Sequence, residues 1–361
     1  MIDFLQSFKT LVKVETIHID NYVFKCHYKL TVIMLIVFSI MLTSKQYFGE
    51  PIECQSDGDM NGLNTYCWIE GIYTLKTNTT GPLRGLGNSP SVYSENRYRP
   101  DKINHYKYYQ YVSFLFCMQA LVFYLPRYLW KNWEQGLLKY LLTDLIGPVA
   151  KPNWTTQTKD MLVNYLLNGK YPHNKYALRY CFCEFLNLLN VIGQLLLLDW
   201  FLLGNFLPYG VEVMNGRPNS ISNVFPLKAK CNFDKYGVSG TKELYDALCI
   251  LPLNALNEKI FLVIWFWLFF LLIISSVALI YRIFVLAIPR VRVYLLLGRI
   301  KHFGINKATV LIRQLTFGDF FILHSIGKNI NPVVYGELLN SLYDHVRNKK
   351  IFYDSTRIEE A

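Results

Sequence analysis

Four long runs with few charges constrain what this chain can fold into. They are "KLTVIMLIVFSIMLTSKQYF" (Lys29 to Phe48), "YYQYVSFLFCMQALVFYLPRYLW" (Tyr108 to Trp130), "YCFCEFLNLLNVIGQLLLLDWFLL" (Tyr180 to Leu203) and "IFLVIWFWLFFLLIISSVALIY" (Ile260 to Tyr281). A bilayer core about 30 Å thick needs roughly 20 apolar residues as a helix. The second and fourth runs meet that unaided. The first has an uncharged core, Leu30 to Ser44, with polar ends. The third carries Glu184 and Asp199 and is the least apolar. One such run would also suit a buried core helix, but four with aromatic and basic flanks point to four transmembrane helices. Composition agrees: charged residues make up 17% of the chain, against about 25% in soluble proteins. The first run does not read as a signal peptide, because mixed charges precede it and no small-residue cleavage site follows.

Charge placement orients the spans. Between Arg127 and Arg179 there are eight Lys/Arg against three acids, and from Arg282 onward twelve against six. Between Tyr47 and Lys107 the count is six against seven, and between Trp200 and Asn257 five against four. Basic residues are retained on the cytoplasmic face. Both termini and the middle loop are therefore expected inside, and the other two loops outside. The net charge of +11 records this topology and gives no reason to invoke nucleic acid. The expected division is an N-terminal cytoplasmic segment 1–27, spans at 28–48, 108–130, 180–203 and 258–286, outer loops 49–107 and 204–257, a cytoplasmic loop 131–179 and a cytoplasmic domain 287–361.

Of eight cysteines, Cys54 and Cys67 fall in the first outer loop and Cys231 and Cys249 in the second. Two pairs in an oxidising compartment read as two disulfides, with spacing leaving three connectivities open. Cys26, Cys117, Cys181 and Cys183 lie in or near spans as free thiols. Cys181 and Cys183 point to different helix faces and make a poor metal site. Asn78, in "NTT", is an N-glycosylation candidate in the first outer loop. "NWT" at Asn153 falls in the cytoplasmic loop and should stay bare.

Other residues take roles from position. Tyr108, Tyr109 and Tyr111 open the second span as amphipathic boundary aromatics, and Trp130 marks its inner boundary with Arg127 and Lys131. Pro126 removes one helical hydrogen bond and makes a hinge candidate. Glu184 and Asp199 are intramembrane acids, weighed towards end-of-helix residues facing headgroups or neighbouring subunits. Asn187, Asn190 and Gln194 share a helix face suited to bonding helices together. Ile2, Leu5, Phe8 and Val12 approximate a helical stripe, which alone would suit a helix lying on the inner leaflet. The basic, apolar stretch after the fourth span reads as a generic membrane anchor.

Several blocks, in order, resemble the innexins, subunits of invertebrate gap junctions. "YYQYV" is close to the family's signature at the start of the second span, and "FYLPRYLWKNWE" continues it. "CNFDKYGVSGTKELYDALCILPLNALNEKIFLVIWFW" matches the second outer loop and fourth span, and "GDFFILHSIGKNINPVVY" resembles the tail element. Tyr111 stands where the family usually has tryptophan, a departure compatible with a divergent member, including the virus-borne vinnexins. The resemblance implies an all-α membrane protein: a four-helix transmembrane subunit with an N-terminal pore helix, disulfide-linked extracellular loops and a helical cytoplasmic domain. It implies pairing of Cys54 with Cys249 and of Cys67 with Cys231. It implies a pore funnel built from the amino terminus, with Met1, Ile2, Asp3 and Gln6 as pore-lining candidates and Asp3 foremost. It implies homo-oligomeric rings, octameric in the family, docking with a ring of the adjacent plasma membrane, mixing with other innexins and contacting membrane lipids.

No H-E-x-x-H, G-x-S-x-G or complete phosphate loop occurs, and the histidines form no ligand cluster. No enzyme, cofactor or metal is expected. The leading function is a gap junction channel passing ions and small metabolites. The alternatives are an undocked hemichannel releasing molecules such as ATP, and a non-conducting adhesion or scaffold protein.

Overall fold

A computed structural model describes residue 17 and residues 19–55, 62–76, 102–142, 154–168, 170–215, 224–236, 238–300 and 303–359. In chain order the elements are α1 (Tyr22–Phe48), β1 (Glu53–Gln55), α2 (Leu63–Glu70), β2 (Ile72–Lys76), β3 (Lys102–Tyr106), α3 (Val112–Glu134), α4 (Leu137–Leu142), α5 (Thr156–Asn168), α6 (Lys170–Phe201), α7 (Phe206–Met214), β4 (Lys228–Tyr236), β5 (Lys242–Ile250), α8 (Pro252–Ala287), α9 (Pro289–Leu297), α10 (Ile305–Gln314), α11 (Phe317–Asn329) and α12 (Pro332–Glu359). The protein is mostly helical, and α1, α3, α6 and α8 are long and apolar enough to cross a membrane. They carry the four apolar runs. Between 33% and 39% of each spanning window is buried inside the chain, so most of each span is left to lipid or to other copies.

Local chemistry sets several boundaries. α8 begins at Pro252, and α9 at Pro289. Proline suits a first helical position because its missing N–H would be unbonded there. Ile288 is extended, as the residue before a proline prefers. α11 opens with a capping box in which Thr316 and Asp319 satisfy each other's backbone N–H groups. Within α1, Cys26–Thr31 is π-helical.

The chain divides into two compact units. One comprises residues 30–123 and 190–272 and contains a feature the sequence reading did not foresee, a five-stranded sheet in the order β1-β5-β4-β2-β3. All its pairings are antiparallel. β4 and β5 form a hairpin, and Gly240 in its turn has φ +78°, a backbone that favours glycine. The hairpin of the later loop lies between strands of the earlier one: β1 lies against β5, and Tyr73 of β2 lies opposite Lys230 of β4. Ala229 and Cys231 of β4, with Ala247 and Cys249 of β5, face one buried side. Against it pack Leu63 and Cys67 of α2 with Ile52, Ile72, Tyr109 and Leu251.

The other unit comprises residues 1–29, 124–189 and 273–361. Its core joins Leu138 and Leu142 of α4, Val163 and Leu166 of α5, and Leu311 of α10 to α11 and α12. α11 is buried almost all round, from Gly318 to Gly327 apart from His324. A helix of that kind is a core element rather than a surface one.

Candidate functional site

The loop sheet is braced covalently as well as by hydrogen bonds. Cys54 of β1 is bonded to Cys249 of β5, and Cys67 of α2 to Cys231 of β4. Each disulfide joins the segment before α3 to the segment before α8, its partners 195 and 164 positions apart in sequence. A disulfide contributes about 2–4 kcal/mol, largely by restricting the unfolded chain. Cys54 and Cys249 are also cross-strand partners, so one covalent bond and one hydrogen-bonded ladder hold the same join. The sulfurs of Cys54, Cys67 and Cys249 lie within 4.8 Å of one another. As disulfide sulfurs they offer no thiolate, and the cluster does not fit a metal ion.

Aromatic side chains seat the sheet. The Tyr108 hydroxyl donates to the Val224 carbonyl at 2.7 Å. Its ring meets Tyr106, Tyr109, Phe201 and Phe225 at centroid distances of 6.0 to 6.2 Å. Tyr109 packs on Trp68 at 4.7 Å, and the Gln110 amide donates to the Trp68 carbonyl. Asp199, at the end of α6, accepts from the Leu207 N–H at 3.0 Å. It caps the first turn of α7, where the helix dipole favours a negative charge.

The second unit holds a buried polar cluster where the chain enters α1. Arg127 of α3 reaches Asp20 at 2.7 and 2.8 Å. Arg282 of α8 grips both oxygens of Glu184 on α6 at 2.7 and 2.8 Å. The Asn21 side-chain amide donates to Glu184 at 2.9 Å and its Oδ1 accepts from Lys328 of α11 at 3.2 Å, while the Asn21 backbone N–H donates to the Tyr180 hydroxyl at 3.1 Å. α3, α6 and α11 therefore hold the two residues that precede α1, and α8 braces Glu184 among them. Bidentate arginine–carboxylate geometry makes such a clamp directional.

The innexin family model matches residues 20–346, which take in the four spans, the loop sheet and this clamp. Innexin inx2 of Drosophila melanogaster is 42% identical over 350 residues, covering 95% of each chain. Innexin inx2 of Schistocerca americana is 39% identical over 359 residues, covering 97% of this chain and 100% of that one. Innexin shaking-B of Drosophila melanogaster is 39% identical over 357 residues, covering 95% and 94%. The chain belongs to the innexin family. It is a multi-pass membrane protein of the gap junction channel class.

Several residues of this innexin stand where the sequence reading did not put them. Tyr108 and Tyr109 pack under the sheet among Trp68, Phe201 and Phe225, and their hydroxyls are turned inward rather than wet. Of the three tyrosines, Tyr111 is the exposed one. Trp130 is buried too, against Tyr176 and Tyr180 at 5.1 and 4.9 Å. Arg127, read as a boundary cation, is withdrawn into the clamp with Asp20. Glu184 faces Arg282 instead of headgroups. Asn190 donates to the Val122 carbonyl at 3.4 Å and accepts from Gln194 at 3.2 Å, linking α6 to α3. α3 remains helical through Pro126. Cys26, Cys117, Cys181 and Cys183 take no part in the two disulfides. Met1, Ile2, Asp3, Gln6, Asn78 and Asn153 lie outside the described residues. The clamp itself escaped the sequence reading, since its members are scattered from Asp20 to Lys328.

Proposed function

We propose that this innexin forms rings, eight subunits to a ring, which dock with rings of the adjacent plasma membrane and pass ions and small metabolites by diffusion. The observation that carries this reading is the sheet shared by both loops and stapled by two disulfides. It supports a rigid outer face, and the loop charges support an orientation with both termini in the cytoplasm. Residues 49–107 and 204–257 would then be extracellular, and residues 131–179 and 287–361 cytoplasmic. The clamp on Asp20 and Asn21 supports a fixed exit direction for the residues before them. That suits a pore funnel with Met1, Ile2, Asp3 and Gln6 towards the lumen.

The test is dye and current transfer between paired cells expressing only this protein, with single-cell currents as control. Coupling supports the docked channel. Single-cell current without coupling selects the undocked hemichannel, which a glycan at Asn78 would favour by adding bulk to the docking face. Neither current selects an adhesion or scaffold role. Subunit number is read by electron microscopy or mass measurement of purified rings.

A further inference from the structure

On α6, Tyr171, Asn174, Lys175, Leu178, Arg179 and Phe182 recur at three and four residues, which places them along one helix face. With Trp133 of α3 they line an open groove of about 530 Å³. Its chemistry is divided. Leu178 and Phe182 are exposed, and the same face continues through exposed Phe185 and Leu189 along the spanning helix. Lys175 and Arg179 stand one turn apart near the polar end. Arg179 lies over the Trp133 ring at 5.5 Å, and among the described residues neither cation forms an ion pair.

We propose that this groove binds one anionic phospholipid, with the phosphate between Lys175 and Arg179 and an acyl chain along Leu178, Phe182, Phe185 and Leu189. Three features favour this occupant. Among the described residues, the two cations have no carboxylate partner. The apolar strip starts beside them and runs on along a membrane span, matching the order of headgroup and tail. Trp133 and Tyr171 are amphipathic rings of the kind that sit at headgroup level. Basic pockets between membrane helices take anionic headgroups by this arrangement. The volume also falls in the range of pre-formed small-ligand sites, roughly 300–1,000 Å³.

The inference goes beyond the channel reading and is tested apart from it. Full-length protein is reconstituted in phosphatidylcholine vesicles with a minority of phosphatidylserine, extracted in mild detergent and weighed by native mass spectrometry. Wild-type chains should retain phosphatidylserine in preference to phosphatidylcholine. The variant K175Q/R179Q should bind it roughly tenfold to thirtyfold more weakly, from about 1 kcal/mol per basic residue near an anionic surface. K175R/R179K should retain it, which separates charge from damage to the fold. A photo-crosslinking residue placed at Leu178 in otherwise wild-type protein should yield a lipid adduct. Equal retention of both lipids by wild type, or unchanged retention in K175Q/R179Q, overturns the proposal. A chain-to-chain crosslink at Leu178 also overturns it and makes the face a contact between copies. Paired-cell coupling is recorded for the same proteins. For wild type, lost coupling with intact lipid selectivity counts against the channel reading alone, and intact coupling without selectivity counts against the lipid site alone.

Discussion

Glu184 and Arg282 form an ion pair between two membrane-spanning helices, 98 residues apart in sequence. Its value lies in being complete. Removing one partner of a buried pair leaves an uncompensated charge and costs about 3–5 kcal/mol. Glu184→Gln should therefore lower the thermal midpoint of purified protein and its surface level, while E184L/R282M should recover much of the loss. If Glu184→Gln melts like wild type, the pair is not structural. His324 makes a second case. Burial, then the charges of Lys328, Arg299 and Arg282, push its imidazole down to about 3. An unfolded histidine titrates near 6.5, so below that pH the unfolded chain binds the extra proton. The folded-state pKa is the depressed one. This contribution to stability is therefore full above about pH 6.5 and is lost progressively as pH falls towards 3. His324→Gln should flatten the fall in thermal midpoint between neutral and mildly acid pH. A slope identical to wild type would contradict the assignment.

At the element scale, close approach decides what can be changed. A Cβ at Gly318 would overlap the backbone of His173 and Asn174, so α11 touches the start of α6 without a side chain between. The Gly318 N–H donates to Asn174 at 2.7 Å, and His173 Nδ1 meets Asp319 at 2.7 Å in the same contact. Gly318→Ala should cost at least about 1–3 kcal/mol as overpacking against rigid backbone. The expected readout is lower yield of folded protein and faster proteolysis of the segment after α8. The loop sheet shows how elements reinforce one another. Cys67→Ser with Cys231→Ser frees α2 from β4 but leaves the ladder between β1 and β5. Cys54→Ser with Cys249→Ser keeps that ladder and α2's staple. Each double variant should lose about 2–4 kcal/mol of loop stability, measurable as faster protease cleavage of the loops.

For the whole molecule, the docking reading makes both staples necessary. Either double-serine variant should reach the surface yet transmit little dye or current between paired cells. Normal coupling by both would remove the rigid-face argument. The pore-funnel reading predicts that Asp3→Lys shifts ion preference towards anions, since one side chain repeated around a ring sets a strong local field. Unchanged preference would take Asp3 out of the narrow part.

Some of this was legible in the chain. Uninterrupted apolar runs require lipid-sized helices whatever surrounds them, so the four spans could be read directly. The loop sheet was not foreseen. "KAKCNF" alternates in the period of a strand, but short segments acquire a register only when partners arrive, here from both loops. Tyr108, Tyr109, Trp130 and Arg127 carry residue types suited to a membrane boundary, and packing turned them inward. Hydropathy is summed over neighbours in sequence, and so the chain alone determined the spans and which cysteines fall in the loops between them. The clamp, the sheet order and the groove on α6 depend on neighbours in space, and only the tertiary structure decided them.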